Sequence, residues 1–114
     1  MIIYEVNLEI DEGANFKIAG WLPGHMQKMC EFKGFGPAYW FFRNPEDEQK
    51  DKGKTLWTLH YIVDDRQCLD DYLKNHAHSF RQEAIDLFGD SFKADRRILS
   101  LLSVAGMESE LGLG

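Results

Sequence analysis

Apolar and polar positions alternate along the first ten residues of the chain. The even positions hold the apolar side chains Ile2, Tyr4, Val6, Leu8 and Ile10. Polar Glu5, Asn7 and Glu9 stand between them at odd positions. A period of two is typical of a strand with one buried and one open face. The sequence therefore predicts a first strand whose odd-numbered polar side chains point away from the core.

A spacing of three and four residues replaces this alternation from about residue 13 to residue 31 and predicts the first helix. Asp11 stands where a helix N-cap is expected, although Ala14 takes the place of the Glu or Gln of a complete capping box. Pro23 and Gly24 lie inside the segment. Because proline removes a backbone donor and clashes with the preceding turn, we expect a kink or a break there.

Three further strands and a second helix follow. Residues 38–43 are aromatic at both parities and predict a second strand, and residues 44–54 predict a charged, mobile loop. Residues 55–63 alternate again, which predicts the third strand. Asp64 or Asp65 is expected to cap a second helix that runs to about Phe88.

Gly89 is expected to end the second helix, and a fourth strand is predicted from Ser91 to about Leu101. In that strand Phe92 and Ala94 are predicted to face inward. The opposite parity places Lys93, Asp95 and Arg97 on the outer face. The order is therefore βαββαβ.

Two right-handed βαβ units in this order interleave into one antiparallel sheet with both helices on one side. The first strand then lies between the third and the fourth. We predict an α+β domain of ferredoxin-like type over residues 1–101, followed by a flexible C-terminal tail over residues 102–114.

Polar side chains collect on the uncovered face of this sheet. The predicted polar sheet face comprises Glu5, Asn7, Glu9, Thr58, His60, Lys93, Asp95 and Arg97. It is either a solvated surface with weak charge pairs or the meeting face of a two-fold dimer, where it becomes the interior of an α+β barrel. Either parity of the second strand leaves two aromatic side chains on that side, and this favours a homodimer.

One short pattern occurs twice, once on each predicted helix. Trp21 precedes His25 by four residues, and Tyr72 precedes His76 by four, so each pair shares a helical face. Antiparallel helices predict a crossed arrangement in which Trp21 lies beside His76 and His25 beside Tyr72. These four side chains either only pack the helices together or line a ligand pocket in which a histidine performs acid–base chemistry. No carboxylate stands at ligand spacing from His25, His76 or the predicted surface residue His78, so no metal site is expected.

Charge and composition limit the choice of partners. Thirteen Lys and Arg against nineteen Asp and Glu give a net charge of −6, which disfavours nucleic acids and anionic membranes. No apolar stretch approaches the ~20 residues of a membrane span, and the N-terminus has no export signal. A cytoplasmic domain is expected, with Cys30 and Cys68 as reduced thiols. The sequence holds no Walker, dinucleotide-binding or nucleophile-elbow motif, and no cofactor is predicted.

Several of these segments together resemble one family. They are the opening Met1–Ile10, Trp21-Leu22-x-x-His25-Met26, Gly34-Phe35, Tyr72-Leu73-x-x-His76-Ala77 and Arg96-Arg97-Ile98-Leu99. The family consists of small bacterial cytoplasmic domains of unknown function, and the resemblance covers residues 1 to about 100. It implies a ferredoxin-like, dimeric α+β-barrel fold and carries no established activity.

The layout is more distantly similar to antibiotic-biosynthesis monooxygenase-like and haem-degrading domains. Some of those use an Asn on the first strand, an aromatic residue on the second helix and a His beyond it. Asn7 and Tyr72 match in element, whereas His76 follows Tyr72 too closely to align. Likeness of fold is a weak warrant for activity.

Three functional hypotheses follow. The first is a non-enzymatic dimeric domain that binds a small ligand or a partner. The alternative is a cofactor-independent or haem-dependent monooxygenase-like enzyme that uses His25, His60 or His76. A nucleic-acid-binding module comes third, because the third strand lacks the Lys/Arg-Gly-aromatic signature of RNA-recognition domains.

Overall fold

The computed structural model describes residues 1–50 and 53–106, and within them the chain forms four strands and three α-helices. In chain order these are β1 (Ile2–Asp11), α1 (Asn15–Met29), β2 (Phe35–Arg43), β3 (Lys54–Val63), α2 (Arg66–Asn75), α3 (Ala77–Phe88) and β4 (Phe92–Ser100). The sheet is antiparallel with the order β2-β3-β1-β4. The predicted ferredoxin-like α+β fold, with its first strand between the third and the fourth, is confirmed.

The strand register separates the two faces of the sheet. Tyr4 stands between Tyr61 on β3 and Ile98 on β4, and this even-numbered parity of β1 packs against the helices. Glu5 stands between His60 and Arg97 on the face that no helix covers. The main hydrophobic cluster therefore lies between one face of the sheet and the helix layer, as the alternation in β1 predicts. Leu56 is buried on the opposite face.

The sequence made two predictions about helix α1. The helix does not break at Pro23, because Leu22 and Met29 on either side are buried in the core, and a kink there stays a prediction. Burial of two such side chains contributes about 1.5–3 kcal/mol each, which offsets a proline cost of about 3 kcal/mol. Asp11 is not the helix N-cap: a 3-10 turn at Glu12–Ala14 intervenes, and the Asp11 carboxylate accepts a hydrogen bond from Lys54 Nζ at 2.6 Å.

The predicted second helix is in fact two helices. Asp65 caps α2 as expected, its Oδ1 accepting from the Cys68 backbone N–H at 2.9 Å, and Gly89 follows the end of α3. At His76 the backbone leaves helical geometry, with φ −131° and ψ −27°, and α3 begins at the next residue. The change of direction buries Ala77 in the core and leaves His76 exposed.

Gly34 makes the tight connection from α1 into β2. Its φ is +80°, a conformation that L side chains rarely adopt. A Cβ at this position would lie 2.6 Å from Cys68 Sγ, so the turn presses directly on the first turn of α2. The backbone N–H of Asp64 donates to the Gly34 carbonyl at 2.8 Å, which fixes the turn against the end of β3.

Two predicted flexible segments lie partly outside the described residues. The loop after β2 contains a 3-10 turn at Pro45–Glu48, and residues 51–52 of it are not described. Residues 101–106 hold no helix or strand, and residues 107–114 of the predicted tail are not described. Mobility of the loop and of the tail over residues 102–114 stays a prediction.

Candidate functional site

A cavity of about 290 Å³ lies between the helix layer and the sheet. Its floor is the even-numbered face of β1 with the neighbouring parts of β3 and β4, and its roof is α1 and α3 with Tyr72 of α2. Aliphatic side chains such as Ile18, Leu22 and Leu59 and the aromatic rings make most of the wall. The cavity is therefore an apolar chamber inside the domain's own core.

Trp21 and His25 lie in the cavity wall, on consecutive turns of α1. Their rings stack on each other with centroids 4.4 Å apart and planes 22° apart. The Trp21 edge meets Phe88 at 5.3 Å, and His25 lies 5.5 Å from Phe80. The four-residue spacing thus produces a pair within one helix that faces α3.

The residues of the second aromatic–histidine pair, Tyr72 and His76, lie in different places. Tyr72 lines the cavity and packs on Tyr4 at 5.9 Å, whereas His76 does not line it and stacks on Phe32 at 4.6 Å. The rings therefore do not form the predicted crossed pairs of Trp21 with His76 and His25 with Tyr72. The interruption between α2 and α3 turns His76 away from the layer, so three of the four predicted residues meet at one cavity.

Three polar atoms of the cavity-lining residues are buried without a hydrogen-bond partner in the described part of the chain. They are Tyr61 Oη, His25 Nδ1 and Arg81 Nε. Tyr61 is 1% exposed, so water does not compensate its hydroxyl from outside. An unpaired buried polar group costs about 1–3 kcal/mol, and folded proteins pair nearly all such groups with protein, water or ligand.

Burial also fixes the charge of these groups. It lowers the pKa of His25 to about 4, an effect that Glu83 opposes and Lys28 reinforces, so the imidazole is neutral at pH 7. Burial raises the pKa of Tyr72 to about 12 and raises that of Tyr61 further. Both phenols keep their protons. The chamber therefore offers neutral hydrogen-bonding groups in an apolar surrounding.

Two arginines bring positive charge to the cavity. Arg81 on α3 and Arg96 on β4 both line it, and no Asp or Glu does. Arg81 Nη2 donates to the Tyr4 hydroxyl at 3.0 Å. Sequence analysis missed Tyr61, Arg81 and Arg96 as site residues. Tyr61 was detectable in the sequence, because its position in the alternation of a buried strand points its side chain inward and a buried hydroxyl needs a partner. Arg81 was not detectable, because it follows Phe80 on a helix and no pattern distinguishes it from a surface arginine.

The predicted polar sheet face forms a connected cluster around one buried carboxylate. Glu5 is 4% exposed and binds the Arg97 guanidinium. Asn7 Nδ2 donates to Glu5 Oε2 at 3.0 Å, and His60 Nε2 lies 2.8 Å from Oε1. The Thr58 hydroxyl donates to Asn7 Oδ1 at 2.6 Å. Five predicted residues of the face therefore form one network.

Asp95 joins this face without a direct hydrogen bond to the cluster. It stands opposite Asn7 in the register, and its charge raises the pKa of the neighbouring Arg97. Burial alone would raise the pKa of Glu5, but hydrogen bonds from Arg97, Asn7 and His60 outweigh it and lower that pKa to about 2. Glu5 is therefore anionic at every physiological pH.

Aromatic side chains of β2 flank the network. Tyr39 and Phe41 share the parity of His60 and are 50% and 45% exposed. Phe41 meets the His60 ring edge-on at 5.1 Å. Trp40 and Phe42 lie at the other parity, toward the helix side. Two aromatic side chains thus remain on the uncovered face, as predicted.

Three further observations concern the cysteines, metal ligands and membrane-spanning helices. Cys30 and Cys68 are free thiols. Within residues 1–50 and 53–106 no three His, Cys, Asp or Glu side chains come together as metal ligands. In the same ranges no helix combines the length and apolar character that crossing a membrane demands.

Comparison with protein families identifies the chain. The model of a family described as a domain of unknown function, DUF4286, matches residues 1–102, and the chain belongs to this family. This agrees with the family resemblance seen in the sequence. No curated protein matches by sequence.

Solved structures share the fold at low identity. A variant of SnoaB, a cofactor-independent oxygenase from Streptomyces nogalater, is 13% identical, with 93% of this chain and 98% of that chain covered and a TM-score of 0.65. An ethyl tert-butyl ether (ethd) family protein from Bacillus halodurans is 14% identical, with coverage of 90% and 100% and a TM-score of 0.58. The de novo designed protein Foldit4 is 10% identical, with coverage of 89% and 98% and a TM-score of 0.58. Since a designed protein reaches the same TM-score as the ethd family protein, the likeness shows the fold alone.

Proposed function

We propose that this DUF4286 domain binds a small, largely apolar molecule in the cavity between the helices and the sheet. The observation that carries the proposal is the cavity itself, an apolar space of about 290 Å³ whose wall also holds the polar side chains of Tyr61, Tyr72, Arg81 and Arg96. Ligand pockets are typically apolar chambers of about 300–1,000 Å³ with a few convergent polar groups.

The size and lining of the cavity suit a compact ligand. Its volume of about 290 Å³ lies at the lower end of the usual range. The stacked Trp21 and His25 rings and the Tyr72 ring supply flat surfaces for an aromatic body. A molecule of one or two rings fits this description better than an extended chain does.

Binding is tested with 2-naphthalenemethanol, a neutral probe of two rings, followed by methyl-resolved NMR. We expect the methyl signals of Ile18, Leu22 and Leu59 to shift with a saturable dependence on probe concentration. Ala84→Phe fills the cavity, since Ala84 lines it, and should weaken binding at least tenfold. The matched control is Leu87→Phe on the same helix, where Leu87 is 55% exposed and outside the wall.

A lack of any cavity shift up to the solubility limit of the probe would overturn this proposal. Equal affinity of wild type and Ala84→Phe would overturn it as well, because the probe would then bind elsewhere. Circular dichroism confirms beforehand that both variants fold.

We further propose that two copies pair through the open sheet face and that the dimer acts in the bacterial cytoplasm. The face carries both signs of charge, with Glu5, Glu9 and Asp95 against Arg43, Lys93 and Arg97. A two-fold axis brings such a surface against itself with opposite charges in register. Exposed Tyr39 and Phe41 add apolar area to the same surface.

Sedimentation velocity tests the pairing. Wild type should sediment at twice the mass of the chain, and Phe41→Glu should sediment as a monomer. Phe42→Glu is the matched control, because Phe42 is the next residue on β2, 70% exposed, and of the opposite parity. A monomeric wild type, or equal behaviour of the two variants, would contradict the pairing.

The enzymatic alternative, a monooxygenase-like activity, rests on the fold and on the neutral His25 in the cavity wall. Its haem-dependent form is tested by titrating haem and following the Soret band. A shifted band that saturates at one haem per chain would favour it, and an unshifted band at high-micromolar haem would eliminate it. Either result leaves the binding of small apolar molecules to be measured separately.

A further inference from the structure

We infer that the ligand of the helix–sheet cavity is an anion: an apolar body that carries one carboxylate, held by Arg81 and Arg96. The inference rests on the proposed function, because it names the chemical class of the molecule that the same cavity takes. The inference follows from the two arginines of the cavity wall, which have no carboxylate partner among the described residues.

The five arginines of the chain divide into two groups. Arg43, Arg66 and Arg97 each pair with a carboxylate, respectively Glu48, Asp70 and Glu5. Neither Arg81 nor Arg96 has a carboxylate of the described residues within 4.0 Å, and both line the cavity.

Arginines without a carboxylate partner are unexpected in a chain with this excess of acidic residues. The chain has a net charge of −6, so an arginine placed at random meets a carboxylate more readily than a cation does. The cavity wall nevertheless contains two arginines and no Asp or Glu. A site with positive charge and apolar walls raises the local concentration of an anion and binds it in a poorly hydrated surrounding, where charge-assisted hydrogen bonds are strongest.

Arg81 is held at the cavity wall by one of its hydrogen bonds. Its Nη2 donates to Tyr4 Oη at 3.0 Å, which fixes the position of the guanidinium. Its Nε is enclosed and has no partner among the described residues, so the two terminal nitrogens are the donors left for a ligand. A carboxylate bound end-on to a guanidinium takes one N–H from each terminal nitrogen.

Arg96 supplies the second charge from the sheet. It stands opposite Val6 at the inward parity of β4, next to Arg97, which points to the other face. Arg96 is exposed, which places it at the mouth of the cavity. The apolar body of the ligand then extends inward past Trp21 and Tyr72.

The test compares 2-naphthoate with 2-naphthalenemethanol, which differ in charge and hardly in shape. In low salt we expect wild type to bind the carboxylate at least tenfold more tightly than the alcohol. Arg81→Gln/Arg96→Gln should reduce this preference, taken as the ratio of the two affinities in the same variant, to less than threefold. Arg66→Gln removes the same charge from exposed α2 and should keep the full preference.

Each remaining outcome is decisive. Equal affinity of wild type for both probes, or an unchanged preference in the double variant, would overturn the anionic class while the proposed function stands. Absence of cavity shifts with either probe would remove the proposed function itself. Should the double variant fail to fold, Arg96→Gln alone, at an exposed position, should still lower the preference at least threefold, and no change would overturn the inference.

Discussion

The two faces of the sheet differ in how their most deeply buried polar side chain is paired. On the open face the carboxylate of Glu5 is buried and compensated by Arg97, His60 and Asn7. On the helix side the Tyr61 hydroxyl and His25 Nδ1 are buried without a hydrogen-bond partner among the described residues. A compensated buried group stabilises the fold, whereas an uncompensated one costs stability.

Two neighbouring arginines on β4 show the same difference between the faces. Arg96 and Arg97 are adjacent in sequence and point to opposite faces. Arg97 binds Glu5, and Arg96 has no carboxylate partner among the described residues. The parity of the strand alone therefore separates a structural arginine from one that is available to a ligand.

The largest expected effect concerns the compensated face. Glu5→Gln removes the charge that three donors satisfy, and we expect the free energy of unfolding at pH 7 to fall by about 2–3 kcal/mol. Urea denaturation measures it. Glu9→Gln on the same strand and face is the matched control and should change stability by less than about 0.5 kcal/mol.

The same carboxylate predicts a pH dependence. Its pKa is lowered from 4.5 to about 2 in the folded protein, so its contribution is complete above pH 4.5 and is lost as the pH falls toward 2. Glu5→Gln should lack this decline. Parallel curves of wild type and variant between pH 5 and pH 2 would show that the cluster does not stabilise the fold.

A smaller effect is expected from His25 on the uncompensated side. Its pKa is 6.5 in the unfolded reference and about 4 when folded, so between these values the unfolded state binds a proton that the folded state does not. Wild-type stability should fall by about 2 kcal/mol as the pH decreases from 6.5 to 4. His25→Phe keeps an aromatic ring there and should remove this decline.

The control for this measurement is His78→Phe, since His78 is exposed on α3. That variant should follow the wild-type curve. If His25→Phe declined as steeply as His78→Phe, the imidazole of His25 would be accessible to protons in the folded state, and the contrast between the faces would weaken.

The smallest effect is a gain. Tyr61→Phe removes an unpaired buried hydroxyl, and the empty protein should become more stable by about 1 kcal/mol, measured by urea denaturation. Tyr4→Phe is the matched variant, because the Tyr4 hydroxyl accepts from Arg81, and it should cost about 1 kcal/mol. A loss of stability in Tyr61→Phe would mean that the hydroxyl already has a partner.

Periodicity in the sequence was sufficient for the sheet. The alternation in β1 and β3 assigns Glu5 and His60 to one face and Tyr4 to the other, and the handedness of βαβ units then orders the strands. The ends and interruptions of the helices were harder to predict from the sequence. Nothing local in the sequence marks the interruption at His76, which follows from how Ala77 packs in the core.

The candidate site was predictable in part for the same reason. Helical spacing places Trp21 on the same face as His25, and both line the cavity together with Tyr72. Spacing cannot supply the rotation of a helix about its axis or its distance from the sheet. The predicted partners across the helices were therefore not formed, and the cavity with its arginines became visible only in three dimensions.

The contact between Gly34 and Cys68 has an evolutionary consequence. Because a side chain at position 34 would overlap the Cys68 sulfur, the two positions cannot enlarge independently. Position 34 is therefore restricted to glycine both by the nearby sulfur and by its positive φ. Across the family, glycine at position 34 should be inherited together with a compact residue at position 68.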